Sequence, residues 1–152
     1  MATFTIKKGK TRATLFPRFV IGSTAIQNSV TFSKSCVHDL EGLNPGYLFG
    51  LRGYTRSIAF CWEYDANFDV IAICVEKFDD GETVRHPLGF VSIGRQVKLD
   101  ILFSDNYAVM SICDDKRVLN SKFVPFSFLE TGLLITPTFP VKAPHDIKIE
   151  MK

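Results

Sequence analysis

The segment Glu63-Tyr64-Asp65 is where this sequence comes nearest to acid–base chemistry. Residues two apart on an extended strand project from the same face, so both carboxylates would point one way. Glycoside hydrolysis needs a second carboxyl group, spaced to act as acid or base across the bond from the first. Where that group would stand, three residues beyond Asp65, the sequence has Phe68. The pair therefore reads as the polar end of a strand entering a turn, and no catalytic residue is assigned. Asp65, Asn67 and Asp69 also begin like a calcium loop, with Glu76 in its twelfth position. The sixth position is Val70, where such a loop bends sharply through glycine, and an Asx-rich hairpin turn accounts for the same residues. His38, His86 and His145 are scattered, and Cys36, Cys61, Cys74 and Cys113 include no Cys-x-x-Cys pair. No metal site and no cofactor are expected from them. In Gly89-Phe90-Val91-Ser92-Ile93-Gly94 the serine stands one place too late for a nucleophile elbow.

Binding chemistry has two candidate sets. Trp62 and Tyr64 share a strand face with Arg52 and Arg56 nearby, and an aromatic platform flanked by guanidinium groups suits the apolar face of a sugar ring. The plainer alternative for Trp62, between Phe60 and Tyr64 on one face, is core packing. The second set is basic. Lys7, Lys8, Lys10, Arg12 and Arg18 lie within residues 1–38, which carry no carboxylate, whereas residues 63–82 hold seven carboxylates against Lys77 alone. Such polarity draws a chain toward an acidic neighbour or a copy of itself. Nucleic acid is not an expected partner, because these lysines are not interleaved with a regular aromatic series.

The elements that must position these groups are strands. Ile58, Phe60, Trp62 and Tyr64 alternate with smaller or polar residues at a period of two. Residues 70–77 are apolar on both faces, as a central strand requires. Asp79-Asp80-Gly81 is a tight reversal, and the chain returns through residues 83–91. Further strands are predicted over 3–8, 14–21, 29–34, 47–52, 96–103, 107–113, 126–135 and 146–151. No convincing helical period interrupts them, and 14 phenylalanines with many β-branched residues favour pleated surfaces. At 152 residues, 46% hydrophobic and 22% charged, the chain can bury a core without disulfide or metal. One domain over residues 1–152 is expected, all-β, folded as a two-sheet antiparallel jelly-roll sandwich.

The opening Met-Ala-Thr-Phe-Thr-Ile-Lys-Lys has no apolar run of leader length, and no stretch is apolar for long enough to span a bilayer. A chain made in a cytoplasm without a signal peptide is expected, away from membranes, with its cysteines reduced and mostly buried.

Phe4-Thr5-Ile6-Lys7-Lys8-Gly9-Lys10, Thr31-Phe32-Ser33-Lys34-Ser35-Cys36 with Asp39-Leu40, Phe60-Cys61-Trp62-Glu63-Tyr64 and the ending Ala143-Pro144-His145-Asp146-Ile147-Lys148-Ile149-Glu150 carry a resemblance. They make the chain similar to a group of small uncharacterised proteins of gut Bacteroidales and their phages. The resemblance implies a concanavalin A-like jelly roll and no settled active site; the calcium ligands of sugar lectins are not recognisable. Three readings follow, in order. The first is a non-enzymatic structural protein of a phage virion, decorating a capsid or building a head fibre. It would act through protein contacts with copies of itself or other virion proteins, using Lys7, Lys8, Lys10, Arg12 and Arg18. The second is a lectin-like carbohydrate-binding module using Arg52, Arg56, Trp62 and Tyr64 on a surface glycan. The third, remote, is a glycoside hydrolase.

Overall fold

Val97, Leu99, Ile101 and Phe103 are buried, while the residues between them are exposed or half-buried. Ile147, Ile149 and Met151 repeat the pattern at the end of the chain. A period of two with one greasy face forces a strand to lie against a second layer. The computed structural model, which describes residues 2–13, 19–22, 24–127 and 131–152, shows that second layer.

Among the described residues there are twelve strands: β1 (Ala2–Ile6), β2 (Phe19–Ile21), β3 (Ala25–Phe32), β4 (Gly46–Arg52), β5 (Ser57–Asp65), β6 (Val70–Asp79), β7 (Glu82–Ser92), β8 (Gln96–Phe103), β9 (Tyr107–Cys113), β10 (Val118–Pro125), β11 (Thr131–Ile135) and β12 (Ile147–Met151). They form two six-stranded sheets, ordered β1-β12-β3-β8-β9-β10 and β2-β11-β4-β5-β6-β7. Every strand pair is antiparallel. The chain passes back and forth between the sheets, which makes the domain a two-sheet jelly-roll sandwich. One core joins the layers: Phe32, Leu99, Ile101 and Met110 of the first meet Phe49, Phe60, Trp62 and Ile73 of the second. Across the interface the rings of Phe32 and Trp62 lie 5.7 Å apart, tilted by 40°.

The β6–β7 hairpin closes through Asp80 and Gly81, whose φ angles are 52° and 76°, with Asp79 paired to Glu82. Two positive φ values in succession are what a two-residue type I′ turn demands, and Asp-Gly supplies them at little steric cost.

Three strand boundaries differ from the sequence expectation. β3 begins four residues earlier than residue 29 and ends at Phe32, after which the Ser33 hydroxyl caps a 3-10 turn, Lys34–Cys36. The expected strand 14–21 survives as Phe19–Ile21, and residues 14–18 lie outside the described ones. The run 126–135 is strand only over Thr131–Ile135, with 128–130 outside the described residues. Between these, β10 had no counterpart in the sequence reading. It is an edge strand on which Val124 alone is fully buried, so the apolar alternation that marks a strand is missing.

Gly50 sits where β4 and β5 approach closely. A Cβ added there would stand 2.1 Å from the Ile58 carbonyl oxygen and 2.6 Å from the Ala59 Cα, both backbone atoms that cannot step aside. Gly50→Ala is expected to cost about 1–3 kcal/mol through overpacking. Urea unfolding should show the midpoint lowered with its slope unchanged; an unshifted midpoint would contradict the close approach.

Candidate functional site

At one end of the sandwich, β5 carries Trp62 and Tyr64 on its inner face. Trp62 is 1% exposed, and its indole N–H donates to the Thr138 carbonyl oxygen at 3.1 Å. The Thr138 hydroxyl accepts from the Tyr47 backbone N–H at 2.9 Å, and its own N–H donates to the Tyr47 carbonyl at 2.9 Å. These bonds pin the segment leading into Phe139 against the start of β4. Gly46 allows the approach, since a Cβ there would fall 2.2 Å from the Thr138 carbonyl oxygen.

One turn away in space, His38 presents its ring edge-on to Phe139, with centroids 5.1 Å apart, and to Tyr64 at 5.8 Å. Its Nδ1 accepts from the Leu40 N–H at 3.2 Å, which leaves the ring proton on Nε2 in the neutral form. Burial holds the His38 imidazole below its ordinary pKa, helped by nearby His145 and opposed by Asp39. The Tyr64 hydroxyl donates to Asp69 Oδ1 at 2.6 Å, which fixes the ring. Tyr64, His38 and Phe139 wall a cleft of about 360 Å³, whose rim includes Glu63, Asn44 and Asn67.

The sequence had placed Arg52 and Arg56 beside this aromatic pair. The register separates them: Gly46 lies opposite Trp62, and Arg52 lies opposite Ser57. Five residues along β5 amount to about 17 Å, so the four side chains make no common platform. Trp62 is a core residue, as the plainer alternative had it, because its strand face turns inward onto Phe32. Arg56 donates to the Ser127 carbonyl oxygen at 2.5 Å, with its guanidinium 5.0 Å from the centre of the Phe126 ring. Arg52 lines a second cleft of about 270 Å³ together with Tyr54, Phe78 and Glu76.

Three of the carboxylates weighed in the sequence, Asp65, Asp69 and Glu76, have structural partners. Asp65 Oδ1 caps the Asn67 N–H at 2.9 Å, and Asp69 takes φ 52° in the same turn, which is the Asx-rich hairpin turn. Glu76 lies six residues along the ladder from Asp65, about 20 Å away, so the four candidate calcium ligands do not converge. Lys7, Lys8, Lys10 and Arg12 are all exposed. They lie on a strip held to the 138–146 segment by bonds from Gly9 N–H to Ala143 O, from Ala143 N–H to Lys10 O and from Lys8 N–H to Asp146 Oδ1. Arg18 lies outside the described residues.

One cluster was missed. On the outer face of the second sheet, Glu76 is 5% exposed. It accepts from the Tyr47 hydroxyl at 2.7 Å, from Arg85 Nε at 2.6 Å and from the Cys61 thiol at 3.8 Å. Burial first, and the bond to Glu76 second, push the Tyr47 phenol up to about 12. The signal was available: the Asp80-Gly81 turn sets a register in which Glu76 must face Arg85.

No protein-family model matches this chain, and no curated protein matches it. Solved structures do. A functionally unknown protein from Saccharomyces cerevisiae aligns over 99% of this chain and 85% of its own length, at 11% identity and a TM-score of 0.63. A carbohydrate-binding module from Bacillus subtilis aligns over 99% of this chain and 91% of its own, at 11% identity and a TM-score of 0.40. The first likeness establishes the sandwich and nothing beyond it; the second is too loose to carry an argument.

Removing the Glu76 carboxylate strands the Tyr47 hydroxyl and frees Arg85, whose side chain is 41% exposed and can be rehydrated. Glu76→Ala is therefore expected to cost about 1–3 kcal/mol, read from the denaturation midpoint. A neutral result would mean that the cluster is fully solvated.

Proposed function

We propose that this chain is a non-catalytic binding module whose end cleft takes a neutral saccharide. The observation that carries this reading is the composition of the cleft. Tyr64 and His38 line it over a floor that includes the buried Phe139, beside a rim of Glu63, Asp65, Asn44 and Asn67, with no lysine or arginine among its described lining residues. Aromatic faces cover the C–H face of a pyranose, while carboxylates and carboxamides answer its paired hydroxyls. A volume of about 360 Å³ lies at the small end of the range of ligand pockets, enough for one or two sugar units. The site moves from the expected Arg52, Arg56, Trp62 and Tyr64 set to one that retains only Tyr64 as an accessible wall.

The test is a titration of the isotope-labelled chain with a panel of neutral oligosaccharides, followed by NMR. Resonances of Tyr64, Asn44 and Asn67 should shift, and Tyr64→Ala should weaken binding about tenfold, equivalent to about 1.4 kcal/mol. Trp62→Ala should instead lower stability by about 3–5 kcal/mol. A panel that moves none of these resonances would remove the reading, as would a Tyr64→Ala chain that binds undiminished.

A second reading rests on the basic strip. Lys7, Lys8, Lys10 and Arg12 are exposed and held in place by backbone bonds, so they form a fixed cationic edge that suits an acidic surface on a neighbouring protein. The contact would be of the kind a capsid-decorating or head-fibre protein makes. If this edge drives assembly, exchanging Lys7, Lys8 and Lys10 for Glu should weaken association measured by sedimentation, more at low salt than at high. Association unchanged by the charge reversal would argue against it.

A further inference from the structure

Cys61 of β5 lies directly opposite Cys74 of β6 on the outer face of the second sheet. Facing residues of an antiparallel pair have Cα atoms about 4.5–5.5 Å apart, within the span of about 4.4–6.8 Å that a disulfide bridges. The Cys61 thiol donates to Glu76 Oε2 at 3.8 Å from the same face as Cys74. The two thiols differ in access: Cys61 is sealed at 0% exposure, whereas Cys74 is half-buried. The other cysteines have no such neighbour across the ladder or turn. Cys113 faces Lys98 and Val118, and Cys36, itself fully buried, donates to the Lys148 carbonyl oxygen.

We propose that Cys61 and Cys74 form a dithiol modification site, which a small-molecule disulfide of the glutathione type converts into a cross-strand disulfide. Cys74 is the entry point, since a reagent can reach it from the outer face. The adjoining Cys61 thiol lowers the Cys74 pKa against the opposing effects of burial, Glu63 and Glu76, with Arg85 adding a smaller push in the same direction. The thiolate is the attacking form in such exchange.

In the first step the Cys74 sulfur bonds to one sulfur of the incoming disulfide. The S–S bond breaks, and one small thiol leaves, carrying the proton Cys74 gave up. In the second step Cys61 loses its proton and attacks the Cys74 sulfur, and the second small thiol departs with that proton. Two protein thiols are thereby oxidised by two electrons and one small disulfide is reduced to two thiols. Cys61 needs no access to solvent, because its target already lies against it. Closing the bridge ties β5 to β6 and withdraws the thiol that donates to Glu76.

The experiment is incubation of the folded chain with excess oxidised glutathione, then alkylation under denaturing conditions and peptide mass spectrometry. A single cross-linked species joining Cys61 to Cys74 is expected, with Cys36 and Cys113 recovered as alkylated thiols. Cys61→Ser should halt the reaction at a glutathione adduct on Cys74, and Cys74→Ser should leave Cys61 unmodified. A wild-type chain that keeps both thiols alkylatable overturns the proposal, as does an adduct on Cys74 that Cys61 never resolves. Both readouts are independent of any saccharide, so they stand or fall apart from the end cleft.

Discussion

Burial of Trp62 between the sheets is the contact from which the remaining geometry follows. Its ring packs at 5.7 Å on Phe32 from the opposite layer and at 6.0 Å on Phe139, and its one polar atom is satisfied by the Thr138 carbonyl. A side chain of this size, sealed on both sides and hydrogen-bonded, cannot be turned outward without opening the core and orphaning a polar group. Side chains alternate strictly along a strand, so fixing Trp62 inward fixes Ile58, Phe60 and Tyr64 inward and turns Ala59, Cys61 and Glu63 outward. The position of β5 in the middle of its sheet passes that choice to β4 and β6 through their registers.

The outer face that results is lined by small side chains where β4, β5 and β6 run together. Gly50 faces Ala59, Tyr47 faces Cys61, Cys61 faces Cys74, and Ala59 faces Glu76. A lone carboxylate on such a floor is half desolvated by its own strand and costs free energy unless it is paired. Tyr47 from one side and Arg85 from the other supply that pairing. The cluster is thus a consequence of the core: the same alternation that buries Ile73 and Val75 brings Glu76 out between two neighbours that can bond it.

Several of these features were legible in the residues. Asp80-Gly81 announced a two-residue hairpin, and its positive φ pair is what the structure shows. The alternation through Ile58 to Tyr64 identified the correct face but not its direction, since the other face, with Ala59 and Cys61, is apolar as well. That ambiguity is why Trp62 could be read as a sugar platform. Strand β10 escaped because an edge strand with only Val124 fully buried leaves no apolar rhythm. His38 and Phe139 could not be joined to Tyr64 from sequence, because the contact depends on a loop and a return segment folding over the sandwich end. The Cys61–Cys74 pairing was hidden for a related reason: the turn between β5 and β6 is longer, and its register, Asp65 opposite Val70, is set by the core rather than by turn chemistry.

The two ends of β5 now differ in kind. At the Trp62 end the cleft is lined from three separate stretches, within 38–46, 62–67 and 139–140, and rimmed by acids and amides. At the Arg52 end, the second cleft opens on the outer face beside Tyr54, which is fully exposed, and Phe78, which is 38% exposed. On the proposed reading, the cleft at the Trp62 end is the one that takes a sugar. Its strength would come from the ring faces of Tyr64 and His38, and its selectivity from rim carboxylates that repel acidic sugars.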